Sequence, residues 1–262
     1  MTRTAWASCA RATGIGLAVA LTVGWGDARA ATQTARYSVR FDGTWSAATH
    51  PLDFPPNPHF SPLIGGTHDA GVHFWGVGEL ASQGIKDMAE RGLTSPLDQE
   101  VGSAIAAGHA GVVIRGGGIS PSPGMATAAF DISQAYPLVT LVSMIAPSPD
   151  WFVGVTSLPL FRDGDWLDRI TVPLYAYDAG TDCGTYYTAP NCVSSPPEPI
   201  APNGAPPFAN GTGLGLFTFT RLDAPTAVPA ASPAALATLA LVLSGAGVVR
   251  ARRRVRGAAD DS

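Results

Sequence analysis

The chain has 262 residues, and its net charge of −4 conceals an asymmetry: residues 31–227 carry 8 Lys and Arg against 17 Asp and Glu, a net of −9. An acidic surface repels phosphate backbones and attracts cations, which argues against a nucleic-acid partner. Charged residues are only 14% of the chain while Gly (30) and Pro (23) are abundant, a composition of strands and turns rather than of surface helices.

The elements begin with an export signal. Arg3 and Arg11 precede or flank the uncharged stretch Ala12 to Trp25, and Ala28-Arg29-Ala30 places small residues where a signal peptidase reads. Cleavage is predicted after Ala30, so that residues 1–30 are the signal peptide. The apolar stretch is shorter than the ~20 residues a transmembrane helix needs. Cys9 leaves with this segment. Cys183 and Cys192 remain, an even pair in an oxidising compartment, and a disulfide between them is expected.

Arg36 to Phe41 alternates in polarity, with Tyr37, Val39 and Phe41 on one face of a half-buried strand that ends at the Asp42-Gly43 turn. A Pro-rich connection from Pro51 to Pro62 follows, then a short apolar run around Val72 to Trp75. Glu79 to Gly108 is predicted helical. Leu80, Ile85, Met88 and Ala89 approximate one face, Gly92 punctuates, and Ser95-Pro96 reads as an N-cap with Pro at the first helical position. Further strands are predicted at Gly111 to Arg115, Ala126 to Ile132, Pro137 to Ile145, Trp151 to Val155, Ile170 to Tyr177 and Gly213 to Leu222. Residues 194–210, rich in proline, form a long surface loop. Without regular strand–helix alternation the fold class is mainly β, an antiparallel β-sandwich with a short helical insertion, built as one domain over residues 31–227.

The tail, residues 228–262, holds a second apolar run from Ala234 to Val249, followed by Arg250, Arg252, Arg253, Arg254 and Arg256, which stay cytoplasmic. Signal and tail together leave the middle of the chain outside. Val228-Pro229, the apolar run and the Arg cluster resemble the PEP-CTERM sorting signals of bacteria, which an exosortase processes, although the Glu of Pro-Glu-Pro is missing. A plain C-terminal membrane anchor is the other reading of the tail.

Several motifs are weaker. His59, His68 and His73 could be a zinc cluster with Asp87 or Glu90 as a base, yet no His-Glu-x-x-His occurs and structural roles fit better. Gly-x-Ser-x-Gly is absent. Arg115-Gly116-Gly117-Gly118 reads as a turn, and Asp163-Gly164-Asp165-Trp166 as a hairpin turn rather than a second calcium loop. Trp75, Trp151 and Trp166 are assigned to core packing over a sugar platform.

Two segments carry more. In Leu141 to Val155 and in Leu174 to Gly184, a hydrophobic strand runs into a Gly/Pro turn bearing carboxylates: Asp150 in the first, Asp178 and Asp182 in the second. Gly180 permits a backbone fold that turns Asp178 and Asp182 toward a common point. If the sheets bring the turns to one end, the carboxylates require a cation, since like charges that close cannot all stay ionised. Ca²⁺, with six to eight oxygen ligands, suits Asp oxygens and loop carbonyls. The plainer reading is that each Asp caps its own turn.

At these residues the chain resembles the spondin domain, the N-terminal module of the F-spondin and mindin family, over roughly Ala35 to Leu222. The resemblance implies a C2-related β-sandwich with one Ca²⁺ held at an end by aspartates, at Asp150, Asp178 and Asp182 here. Animal members serve in matrix adhesion or innate recognition beside thrombospondin repeats, which this chain lacks, so their partners do not carry over. The expected function is therefore non-enzymatic: adhesion or matrix binding at the envelope, with a surface polysaccharide or an extracellular protein as partner. A secreted hydrolase acting on extracellular polysaccharide through the same aspartates is the alternative.

Overall fold

The computed structural model describes residues 34–223; the signal peptide predicted at residues 1–30 and the sorting or anchoring tail predicted at residues 228–262 lie outside the described residues. The elements in chain order are β1 Thr34–Gly43, β2 His59–Phe60, β3 Ile64–His68, α1 Gln83–Arg91, α2 Leu97–Ala106, β4 Ala110–Arg115, β5 Gly124–Ser133, β6 Leu138–Ala146 and β7 Trp151–Pro159. They continue with β8 Phe161–Arg162, β9 Asp165–Trp166, β10 Arg169–Leu174, β11 Tyr177–Asp178, β12 Ala201–Pro202 and β13 Gly215–Arg221. One sheet runs β10-β13-β1-β5, and the other β12-β11-β7-β6-β3-β4 with β2 beside β6. All pairings are antiparallel. The β-sandwich is the one the sequence predicts.

The alternation in β1 builds the core between the sheets. Tyr37, Val39 and Phe41 are fully buried. In register, Val39 lies between Phe219 and Ala128, and Phe41 between Phe217 and Ala126, so one face of three strands is apolar across the sheet. The opposite face of β1 carries Arg36, Arg40 and Asp42.

β6 and β7 do not alternate, because both of their faces are covered. Val139, Leu141, Ile145, Trp151, Val153 and Val155 face the inter-sheet core, while Val142, Met144, Ala146 and Phe152 join a second apolar cluster with Ile85, Met88, Leu97 and Val101 of the helices. The helical insertion thus forms a lid on the outer face of the larger sheet.

The helices depart from the predicted detail. Ser82 caps α1 by accepting the Ile85 N–H at 3.1 Å, and Gly92 ends it in the left-handed region at φ 66°. Leu80 lies before α1 and is 61% exposed, so it is not on the buried face. The second helix starts one position later than expected: Pro96 occupies the cap position, and no side chain caps the helix there.

β3 has no counterpart among the predicted strands: Ile64-Gly65-Gly66-Thr67-His68 carries two adjacent glycines and no alternation of polarity. Every residue of it is nonetheless buried. A Cβ on Gly66 would stand 2.6 Å from Val101 Cγ1, so the bare backbone is what lets α2 seat against the strand. The Val72 to Trp75 run forms no strand, although Phe74 and Trp75 are buried.

The strand predicted from Ile170 to Tyr177 is two strands in two sheets. β10 pairs with β13 in the smaller sheet, and β11 pairs with β7 and β12 in the larger. The chain crosses between sheets at Tyr175-Ala176, and this crossing carries Asp178 to its place beside Trp151.

Candidate carboxylate site at one end of the sandwich

The Ser148-Pro149-Asp150 turn leads into β7, with the Trp151 N–H donating to Ser148 Oγ at 3.1 Å. Asp178 is the register partner of Trp151, and the Ala179 N–H donates to the Asp150 carbonyl at 3.2 Å, so the two carboxylate-bearing turns lie side by side. Convergence of the two predicted loops at one end of the sandwich is therefore observed.

Asp150 is fully buried. Its Oδ2 accepts the N–H groups of Thr181 and Asp182 at 2.7 and 3.0 Å and the Thr181 hydroxyl at 3.3 Å. One carboxylate of the first turn thereby fixes the backbone of the second. Its other oxygen, Oδ1, is buried without a hydrogen-bond partner. Burial, and then the charge of Asp178, push the Asp150 carboxyl up to about 6 in spite of those donors.

Asp178 and Asp182 cap their own turns. Asp178 Oδ1 accepts the Gly180 N–H and Asp182 Oδ1 the Gly184 N–H, both at 2.8 Å. Their second oxygens reach further: Asp178 Oδ2 accepts Trp151 Nε1–H at 3.1 Å, and Asp182 Oδ2 accepts the Cys192 N–H at 3.0 Å. Burial raises the Asp178 carboxyl above its usual range, and the charges of Glu198 and Asp182 add to the shift. Both readings of these residues, turn caps and a carboxylate cluster, describe parts of one arrangement.

Cys183 and Cys192 form the expected disulfide, with their Cα atoms 5.2 Å apart. It closes the loop whose end donates to Asp182. Gly180 sits at φ 71°, and a Cβ there would fall 2.1 Å from the Glu198 carbonyl oxygen. That close approach, with the Glu198 N–H donating to the Gly180 carbonyl at 2.8 Å, brings a further acid to the cluster. Sequence reasoning missed Glu198, because the Pro-rich loop that bears it has no periodicity to register it against the strands.

Asp178, Asp182, Glu198, Thr185, Ser194 and Asn203 line a cavity of about 360 Å³. Among the described residues no Lys or Arg ion pair reaches Asp150, Asp178, Asp182 or Glu198. Nor do three His, Cys, Asp or Glu side chains there stand close enough to hold one metal ion among them. A cation at this end would accordingly take one or two carboxylates and complete its shell with carbonyls or water. The donors fit a hard cation of that kind: they are oxygens, they are uncompensated by any paired cationic side chain, and Asp150 Oδ1 is an orphan.

The other candidates have ordinary roles. His68 is buried and bonds Thr140 Oγ1 at 2.8 Å, His59 bonds the Asn57 carbonyl, and His73 pairs with Glu79. Asp87 and Glu90 pair with Arg91 and Lys86. Asp163 and Gly164 turn the β8–β9 hairpin, and Trp75, Trp151 and Trp166 are all buried.

Comparison with known proteins agrees with this architecture. The Spondin_N family profile matches residues 35–206. Spondin-2 of Rattus norvegicus is 35% identical over 172 residues, which cover 63% of this chain and 52% of that protein. Spondin-2 of Homo sapiens is 35% identical over 172 residues, 63% of this chain and 51% of its own. Spondin-1 of Homo sapiens is 33% identical over 177 residues, 64% of this chain and 22% of its own. The chain thus spans about half the length of the spondin-2 relatives. With the profile covering the larger sheet, three of the four strands of the smaller one and the carboxylate turns, the chain belongs to the Spondin_N family.

Proposed function

We propose that this protein is a non-catalytic, extracellular binding module whose acidic end is ordered by one Ca²⁺ and whose role is adhesion or matrix binding, with a surface polysaccharide or an extracellular protein as partner. The observation that carries the reading is Asp150: a fully buried carboxylate with one orphaned oxygen, next to Asp178 and with no cationic side chain paired to it. Asp150 and Asp178 are the residues to hold the ion, with Asp182 orienting the loop through its backbone donors. The bound ion supplies charge compensation and rigidity. Against the hydrolase alternative, Asp150 is sealed under Thr181 and Asp182, and both oxygens of Asp178 and of Asp182, which line the cavity, already accept hydrogen bonds.

The disulfide supports an oxidising compartment, in keeping with residues 1–30 as a signal peptide. We extend the reading to residues 228–262 as a membrane-held or exosortase-processed tail that retains a bacterial protein at its envelope. Among the described residues no helix is long and apolar enough to cross a membrane, and the tail lies outside them.

Calcium titration of chelated protein tests the proposal, because a ligand selective for the folded state must raise its melting temperature. The expected result is a rise that saturates in roughly the 10⁻⁴–10⁻³ M range of extracellular modules. Asp150→Asn, which keeps an acceptor for the two N–H groups, should abolish the rise. An unchanged melting temperature in the wild type would remove calcium from the reading.

A further inference from the structure

The loop between β12 and β13 contains two Asn-Gly pairs, Asn203-Gly204 and Asn210-Gly211, and the fold treats them differently. We propose that Asn203 is a site of spontaneous deamidation at the rim of the acidic cavity, while the hydrogen bonds of Asn210-Gly211 slow the same reaction at that pair.

The reaction needs no partner but water. The Gly204 backbone nitrogen attacks Asn203 Cγ, the new N–Cγ bond closes a succinimide, and the Cγ–Nδ2 bond breaks to release ammonia, which carries away the nitrogen's proton. Water then adds to either imide carbonyl and yields aspartate or isoaspartate. Glycine in the second position leaves the attacking nitrogen unobstructed.

Both asparagines have a backbone N–H on Oδ1, which polarises the carbonyl under attack: Ala205 N at 3.3 Å from Asn203, and Thr212 N at 3.0 Å from Asn210. They differ in the two nitrogens that must move. Asn210 Nδ2, the leaving group, donates to the Thr49 carbonyl at 2.9 Å, and the Gly211 N–H, the nucleophile, donates to the Phe208 carbonyl at 3.1 Å. Among the described residues neither Asn203 Nδ2 nor the Gly204 N–H has such a partner. Gly204 is exposed, and no heavy atom lies within 4 Å of where its Cβ would be. Breaking two hydrogen bonds before reaction slows Asn210 by roughly tenfold to a hundredfold.

Asn203 lines the cavity with Asp178, Asp182 and Glu198, so its conversion adds a carboxylate to an already acidic wall. On the calcium reading, which this consequence rests on, the ageing protein acquires a tighter cation site.

Peptide mapping by mass spectrometry of the full chain, incubated in mildly alkaline buffer, reads both sites from the mass gained when NH₂ is replaced by OH. Native protein is expected to convert Asn203 at least about tenfold faster than Asn210, and in urea the two rates should converge. Equal native rates, a faster Asn210, or a difference that persists in urea would each overturn the proposal. A larger Ca²⁺-induced melting shift in Asn203→Asp than in the wild type supports the added ligand, and an equal or smaller one overturns that consequence. If neither chain shifts, the calcium reading has failed, while the two deamidation rates still decide the proposal.

Discussion

Carboxylates on the outer face of the smaller sheet and those at the loop end of the sandwich solve the same electrostatic problem differently. On the sheet, Arg36 pairs with Asp131 at 3.0 Å and Arg40 with Asp42 at 2.7 Å, in contact with solvent. At the loop end, Asp150, Asp178 and Asp182 have only backbone N–H, indole N–H and threonine hydroxyl donors, and Asp150 is out of contact with water. Charge is cheap where water and a guanidinium share it, and costly where only dipoles do. A protein keeps the second arrangement when the charge is used, which is why the loop end, and not the more charged-looking sheet face, is the functional candidate.

The sharpest way to break the comparison is at Gly180. Gly180→Ala combines a left-handed backbone with a Cβ overlapping the Glu198 carbonyl, and should destabilise the protein by about 4 kcal/mol, read by denaturant unfolding. A loss under about 1 kcal/mol would mean that the Glu198 segment is not held against this turn.

Next comes pH. The folded-state pKa of Asp150, about 6, lies above the ordinary carboxylate value of 3.8, so the folded state binds the extra proton between those values. Stability from this group is therefore greatest at low pH and declines as pH rises from about 4 to about 6, by about 3 kcal/mol in all. Asp69, Asp98 and Asp223, whose carboxyls are held low, slope the other way, so the measurement is the difference between wild type and Asp150→Asn. Saturating Ca²⁺ should flatten that difference, since the ion stabilises the ionised form.

Replacing both cysteines of the Cys183–Cys192 bridge by serine should cost about 2–3 kcal/mol, as the chain-entropy model gives for so short a loop. The same variant should bind Ca²⁺ more weakly, because the Cys192 N–H that holds Asp182 is no longer fixed; unchanged titration curves would separate the bridge from the site. The smallest effect belongs to the sheet face, where Arg36→Ala should change stability by less than about 1 kcal/mol and do so only at low salt. A larger loss there would erase the contrast between the regions.

Legibility in the sequence followed the same division. Alternation in Arg36 to Phe41 announced β1, and the unbroken apolar run of β6 announced a strand, since burial leaves a direct imprint on residue type. Asp150, Asp178 and Asp182 were legible from their turn context and the family resemblance, and the cysteine pair from its even count in an exported chain. β3 was hidden because its glycines serve the packing of α2. Glu198 was hidden because nothing local records which loop approaches Gly180.

By itself, then, the sequence determined most of the longer strands, the sandwich class, the disulfide and the turns that bear the acids, all of which depend on local pattern or on cysteine count. Only the tertiary structure decided that the chain changes sheets at Tyr175-Ala176, that Asp150 is sealed beneath the backbone of Thr181 and Asp182, and that Asn203 is unguarded where Asn210 is held. These depend on contacts between segments far apart in the chain, and the energy of a buried charge or a guarded amide is set by those neighbours rather than by residue type.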